Sequence, residues 1–124
     1  MLPLVLFTDD TSGNRSKQWN KFDSWCLKLA GLPVKENSKL YSIHLITCSN
    51  KCNVIAMSQP VVNELLKLEL EGITAYDAFL GAEVLVIAPV LCILGDNPRH
   101  SEIMSHSGTS AELHCRKCMV IVAV

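Results

Sequence analysis

Acidic side chains follow two apolar segments of the chain. Asp9 and Asp10 come directly after Leu4 to Phe7, and Asp96 follows Val90 to Leu94. A buried strand holds a carboxylate rigidly at its end, and carboxylates from two neighbouring strands are the oxygen ligands that Mg²⁺ prefers. A magnesium ion held in this way activates a hydroxyl group and stabilises a displaced oxygen on phosphorus. The alternative is that these acids only form the turns that follow strands.

A second set of residues has the spacing of metal ligands. Cys115 and Cys118 form a C-x-x-C motif, with His114 beside it and His106 upstream. Two thiolates at this spacing can share one zinc ion, and a histidine can supply a third ligand. No second cysteine pair follows in the sequence, so structural cysteines and a redox pair stay open as alternatives.

The other cysteines predict packing rather than chemistry. Cys26, Cys48 and Cys92 lie in apolar or strand-like segments, and Cys52 completes the set. The first seven residues carry no basic group and are followed closely by two aspartates, which is not the pattern of a signal peptide. We therefore expect reduced thiols that pack as small apolar side chains, in a nuclear or cytoplasmic protein that is not secreted.

One segment combines basic and aromatic residues. Arg15, Lys17 and Lys21 surround Trp19, and such a segment can contact a phosphate backbone and stack on a base. The alternative is a solvated loop with one buried aromatic side chain. These residues are the candidate DNA contacts of the chain.

Size and charge limit the classes of protein that these residues can serve. The chain has 124 residues, enough for one compact domain, with 11 basic and 12 acidic side chains and a net charge of −1. This balance argues against a strongly basic nucleic-acid-binding module. The longest apolar run, Val84 to Leu94, is interrupted by Pro89 and is too short to cross a bilayer, so we expect no membrane partner.

The elements that must position the candidate residues alternate in type. Strands are predicted at Leu4–Phe7, Phe22–Leu29 and Leu40–Cys48 from their content of β-forming residues. The next segment predicts a helix that Ser58 caps and Gly72 ends, with Pro60 in its first turn.

The last third of the chain predicts a hairpin and a short helix. The hairpin joins Thr74–Leu80 to Glu83–Leu94 around Gly81, and Pro89 requires an edge strand, a bulge or a bend. The alternative is a helical turn in the second of these segments. A short helix is predicted at Arg99–His106. The resulting order is β-β-β-α-β, a mixed α/β fold with a mixed β-sheet.

Several longer strings resemble one family in their order and spacing, from about Leu4 to about Met119. The chain is similar to transposon-derived proteins of basidiomycete fungi, which are themselves distantly similar to the CACTA (En/Spm) transposases. The strings that carry this resemblance are Asp9 to Phe22, Ala30 to Pro33, Leu94 to Pro98 with Ser101 and Glu102, and Cys115 to Cys118.

The resemblance implies a partial RNase H-like fold over residues 1–104. Asp9 or Asp10 would be the first catalytic acid and Asp96 the second, with Mg²⁺ as the cofactor. The third acid of the family has no counterpart, and we expect Glu102 to lie on a helix surface. Residues 105–119 would begin a zinc-binding insertion, whose later ligands are missing. Residues 120–124 form an apolar tail with high β propensity, which either pairs with the sheet or promotes aggregation.

The resemblance implies that the chain is a fragment of a transposase-like DNA strand-transfer protein of the DDE class. Its partner would be DNA, and the rest of a larger transposase chain would be missing, so we expect the isolated chain to be inactive. Two alternatives stay open: a non-enzymatic interaction module stabilised by zinc, and the product of a decayed transposon gene.

Overall fold

A computed structural model describes residues 1–12 and 21–108 of the chain. The strands are β1 (Leu4–Ser12), β2 (Lys21–Leu29), β3 (His44–Ser49), β4 (Ile73–Asp77), β5 (Ala82–Val86) and β6 (Val90–Leu94). The helices are α1 (Val34–Asn37), α2 (Val54–Leu70) and α3 (Asn97–Ile103), with a 3₁₀ turn at Leu40–Ser42. In this part of the chain no helix is long and apolar enough to span a membrane.

A mixed sheet of four strands organises the structure. The strand order is β3-β2-β1-β6. The first three strands form an antiparallel meander, and β6 returns beside β1 in the parallel direction. A parallel neighbour requires a crossover, and the segment from β3 to β6, which includes α2, provides it. The predicted mixed α/β class with a mixed sheet is therefore confirmed.

Helix α2 packs on one face of this sheet through a small apolar core. Leu6 and Trp25 from the strands contact Val54, Met57 and Val61 from the helix. Trp25 is 3% exposed, and its indole Nε1–H donates a hydrogen bond to the Val54 carbonyl oxygen at 3.1 Å. This bond satisfies the polar atom of a buried aromatic side chain and fixes the first turn of α2 against β2.

The predicted start of this helix is wrong. Helix α2 begins at Val54 rather than near Ser58, because the Asn53 side chain accepts a hydrogen bond from the Ala56 N–H at 2.8 Å and caps the helix there. Pro60 consequently lies inside the helix. The predicted end is confirmed: Gly72 follows the last turn with φ +73°, a conformation that glycine adopts without a Cβ penalty.

The predicted hairpin is present but shorter than expected. Strands β4 and β5 pair antiparallel around Gly81, and they form a separate two-stranded sheet. Pro89 lies between the end of β5 and the start of β6, so the long second arm bends there and its last part joins the main sheet. The expected order β-β-β-α-β therefore holds for the main sheet, with the hairpin inserted before its last strand.

Two strand boundaries differ from the sequence-based expectation. Strand β1 continues past Phe7 to Ser12, so the first two acids lie within it. The predicted third strand loses its first residues to the 3₁₀ turn, because the Ser42 N–H donates to the Lys39 carbonyl and the Ile43 N–H donates to the Leu40 carbonyl. These donors close a turn and are therefore not available to a strand ladder.

The cysteines in the described ranges are free thiols, but they do not all pack in the core. Cys26 is half-buried, whereas Cys48, Cys52 and Cys92 are exposed. The expectation that all four are packing residues is wrong for the exposed three. Strands β3 and β6 lie at the two ends of the main sheet order, where their side chains have fewer neighbours.

Candidate functional site

The parallel pairing of β1 with β6 brings two of the predicted acids to the same end of the sheet. Phe7 pairs with Leu94 in the register of the two strands. Asp9 and Asp96 each follow two residues later, so they extend from the same end of neighbouring strands. Both line an open cavity of about 370 Å³. The remaining lining residues are Phe7, Thr8, Lys28, Ile43, Leu94 and Gly95.

Asp96 has a structural function at this position. Its Oδ1 accepts a hydrogen bond from the Arg99 backbone N–H at 2.9 Å and caps α3. Pro98 lies in the first turn of this helix, where its missing N–H leaves no bond unmade. The predicted helix therefore begins two residues earlier than Arg99 and ends at Ile103 rather than His106. The cap also fixes the direction in which the Arg99 side chain leaves the helix.

Asp9 and Asp10 differ in orientation because successive residues of a strand point to opposite faces. Asp10 is paired with Asp23 in the register of β1 and β2, so these two carboxylates share one face of the sheet. Asp9 lies on the other face, and its Oδ1 accepts a hydrogen bond from the Asp10 backbone N–H at 2.8 Å. The structure therefore separates two acids that the sequence left equivalent.

Arg99 joins the acids on the face of Asp10. Its side chain is only 4% exposed, and its Nη2 donates to Asp23 Oδ1 at 2.5 Å. Its Nη1 donates to Glu102 Oε2 at 2.8 Å, and Nη2 lies 3.8 Å from Asp10 Oδ2. Glu102 was expected only on a helix surface, but it is half-buried and takes part in this ion pair.

Lys21 completes the group at its solvent side. Its Nζ lies 3.0 Å from Asp10 Oδ2 and 3.7 Å from Asp23 Oδ1. The hydrogen bond to Asp10 raises the pKa of the Lys21 ammonium above its usual value, with the charge of Asp23 acting in the same direction. We call Asp10, Lys21, Asp23, Arg99 and Glu102 the Arg99 cluster.

The candidate DNA contacts and zinc ligands fall largely outside the described residues. This applies to Arg15, Lys17 and Trp19, to His114, Cys115 and Cys118, and to the apolar tail 120–124. Of the candidates that are described, Lys21 belongs to the Arg99 cluster. His106 uses its Nδ1 to accept the Gly108 N–H at 3.0 Å, which leaves Nε2 as the nitrogen that could bind a metal. The zinc site stays a prediction.

Two of the acids that the resemblance assigns to a magnesium ion, Asp10 and Asp96, are already engaged by other groups. Mg²⁺ requires several oxygen ligands at about 2.0–2.1 Å in near-octahedral geometry. The Asp10 carboxylate already faces two cationic side chains, and Asp96 Oδ1 is engaged in the helix cap. Over residues 1–12 and 21–108, no three His, Cys, Asp or Glu side chains are grouped as a metal site.

Sequence reasoning missed Asp23 and Arg99. One signal was available for Asp23, because it lies two residues before Trp25 and therefore shares the buried face of β2. A carboxylate on a buried face requires a partner, usually a basic side chain. Nothing local identifies that partner, since Arg99 lies 76 positions away in the chain.

Comparison with known proteins adds no further constraint. No protein-family model, curated protein or solved structure matches the chain.

Proposed function

We propose that the chain is a partial RNase H-like core of transposase type that does not cut DNA by itself. The observation that carries the proposal is the return of β6 beside β1 in parallel, which brings Asp96 next to the Asp9–Asp10 pair. A three-stranded meander, a crossover helix and a parallel return strand are the arrangement that the resemblance implies. The paired acids at one end of neighbouring strands agree with the same interpretation.

The proposed loss of activity is supported by the contacts of two of the acids. Asp10 is engaged by Lys21 and Arg99. Asp9 lines a cavity together with Asp96, but Asp96 Oδ1 accepts the hydrogen bond that caps α3. For the intact ancestor we propose magnesium-dependent phosphoryl transfer; for this chain we propose only the remnant of that site.

DNA is the proposed partner of the ancestral protein, and weak binding is expected from this chain. Affinity for DNA depends on the number of phosphates that basic side chains neutralise. The net charge of −1 offers little general attraction, and the cationic groups of Lys21 and Arg99 already face carboxylates. The remaining candidate contacts in the basic and aromatic segment are Arg15, Lys17 and Trp19.

A nicking assay tests the proposed inactivity. Supercoiled plasmid would be incubated with the chain and MgCl₂, and then with MnCl₂, next to Asp96→Asn and a matched control, Glu83→Gln, which changes an exposed carboxylate of β5. We expect no nicking above background from any of the three proteins. Nicking by the wild type and by the control, but not by Asp96→Asn, would show an active site and overturn the proposed inactivity.

The flanking genomic DNA tests the proposed origin. Terminal inverted repeats, and a downstream frame that encodes a glutamate on a helical segment, are expected of a transposon-derived gene. A locus that lacks both would remove the support for transposase ancestry, whatever the nicking assay shows.

A further inference from the structure

We infer that Arg99 and Lys21 replace a divalent cation as the counter-charge of the carboxylates in the Arg99 cluster. The cluster would then assemble and remain stable without metal. The inference rests on the proposed function only in its choice of a divalent cation as the group that is replaced. The positions and contacts of the five side chains carry the rest.

The first support is the burial of Arg99 among acids from three elements. Asp10 comes from β1, Asp23 from β2 and Glu102 from α3. The guanidinium donates to the last two and lies 3.8 Å from the first. Three carboxylates brought this close repel one another, and a cation at their centre is required to offset that repulsion. In metal-dependent sites a divalent ion has this function; here a side chain of the protein has it.

The second support is the way in which Arg99 is held. The Asp96 cap fixes the backbone of α3 at Arg99, and the side chain is 4% exposed. Gly95 lies against its aliphatic part: a Cβ at this glycine would come within 3.2 Å of Arg99 Cγ. The side chain is therefore packed in place, and the guanidinium cannot withdraw without disturbing these contacts.

The third support is Lys21, which supplies a second positive charge from the solvent side. Its ammonium lies 3.0 Å from the Asp10 carboxylate. The five side chains together have three negative and two positive charges, so the excess is a single negative charge. A divalent ion that approached Asp10 would have to displace one cation and would meet repulsion from the other.

A thermal stability experiment with added Mg²⁺ tests this inference. The melting temperature of the full chain would be measured with about 10 mM MgCl₂ and with NaCl of equal ionic strength, so that screening is matched. The proteins are the wild type, Arg99→Gln, Lys21→Met and a control, Lys67→Met, which removes an exposed ion pair on α2. A Mn²⁺ titration followed by electron paramagnetic resonance would measure bound metal directly.

The expected result is a difference between the cluster variants and the other two proteins. For the wild type and for the control, the melting temperatures in MgCl₂ and in NaCl should differ by no more than about 1 °C. Arg99→Gln and Lys21→Met should each gain about 3 °C or more in MgCl₂ and bind Mn²⁺, because ligand binding to the folded state raises its stability. If Arg99→Gln does not fold in either salt, Lys21→Met decides the outcome.

Two results would overturn the inference. One is specific stabilisation of the wild type by Mg²⁺, which would mean that the side chains do not replace the ion. That result would not affect the proposed ancestry. The other is a pair of folded variants that show neither stabilisation nor bound Mn²⁺. Failure of the ancestry itself would instead be seen in the flanking genomic DNA.

Discussion

Removal of the Arg99 guanidinium should lower the free energy of unfolding by about 3–5 kcal/mol, the usual cost of leaving a buried charge without its partner. Arg99→Met keeps most of the aliphatic side chain but leaves the Asp23 carboxylate, which is 11% exposed, without its closest cation. Lys21 is 3.7 Å from Asp23 and compensates only in part. At roughly 4 °C for each kcal/mol in a chain of this size, the melting temperature should fall by about 12–20 °C.

A double-mutant cycle separates the ion pair from the other effects of the substitution. Asp23→Asn should cost less, about 1.5–3 kcal/mol, because Arg99 keeps Glu102 and Asp10 as partners. The double variant Arg99→Met/Asp23→Asn removes both charges, so its cost should fall short of the sum of the single costs by about 2 kcal/mol.

The assay is urea unfolding at pH 7 and 25 °C, followed by circular dichroism at about 222 nm with linear extrapolation. The control is Lys67→Met, which removes an exposed pair with Glu64 and should cost about 0.3–0.5 kcal/mol. A cost below about 1 kcal/mol for Arg99→Met, or a coupling energy near zero, would refute the argument that this ion pair is buried and unreplaced.

Three smaller predictions concern other positions. Burial raises the pKa of the Cys26 thiol, so at pH 8 iodoacetamide should alkylate Cys26 more slowly than the exposed Cys48, as measured by peptide mass spectrometry; equal rates would contradict this. Asn53→Ala should cost about 1 kcal/mol in urea unfolding and Ser58→Ala less than about 0.5 kcal/mol, because only the first residue caps α2; the reverse order would support the sequence-based start. Gly72→Ala should destabilise the fold by more than about 1 kcal/mol, since its φ is +73° and its Cβ would meet a carbonyl oxygen of β5 at 2.8 Å; an unchanged melting temperature would exclude that clash.

Much of the fold could be predicted from local patterns. Gly72 marks the end of α2, and Pro89 marks the bend between β5 and β6, because both residues limit the backbone whatever surrounds them. The strands rich in β-forming residues are also present, with shifted ends. These features depend on short-range geometry, which is why a single sequence contains them.

The start of α2 could not be chosen from the sequence because two residues had the right chemistry. Asn53 and Ser58 are both good N-caps, and Pro60 is common in a first turn, which favoured the later start. The choice depends on tertiary packing: Val54 is fully buried and accepts the hydrogen bond from Trp25, so the earlier turn is held against β2. A pattern along the helix does not contain that contact.

The candidate site was predicted only in part for a related reason. The closeness of Asp9 and Asp96 follows from strand order, which the resemblance implied. The pairing of Asp23 with Arg99 does not, because it joins residues on different elements far apart in the chain. The resulting cluster differs chemically from a simple pair of acids, because Lys21 and Arg99 already form ion pairs with its carboxylates.

The parallel contact between β1 and β6 also has a consequence for the order of folding. The β1–β2–β3 meander joins segments that are close in sequence, whereas the contact of β6 with β1, and that of Arg99 with Asp23 across 76 positions, closes most of the chain into a loop. Closing a long loop carries a large entropy cost before any contact compensates it, so these contacts should form after the folding transition state. Substitutions at Arg99 should then mainly accelerate unfolding and leave the folding rate nearly unchanged. The Arg99 cluster would then determine the unfolding rate, and so the lifetime of the folded chain, rather than the folding rate.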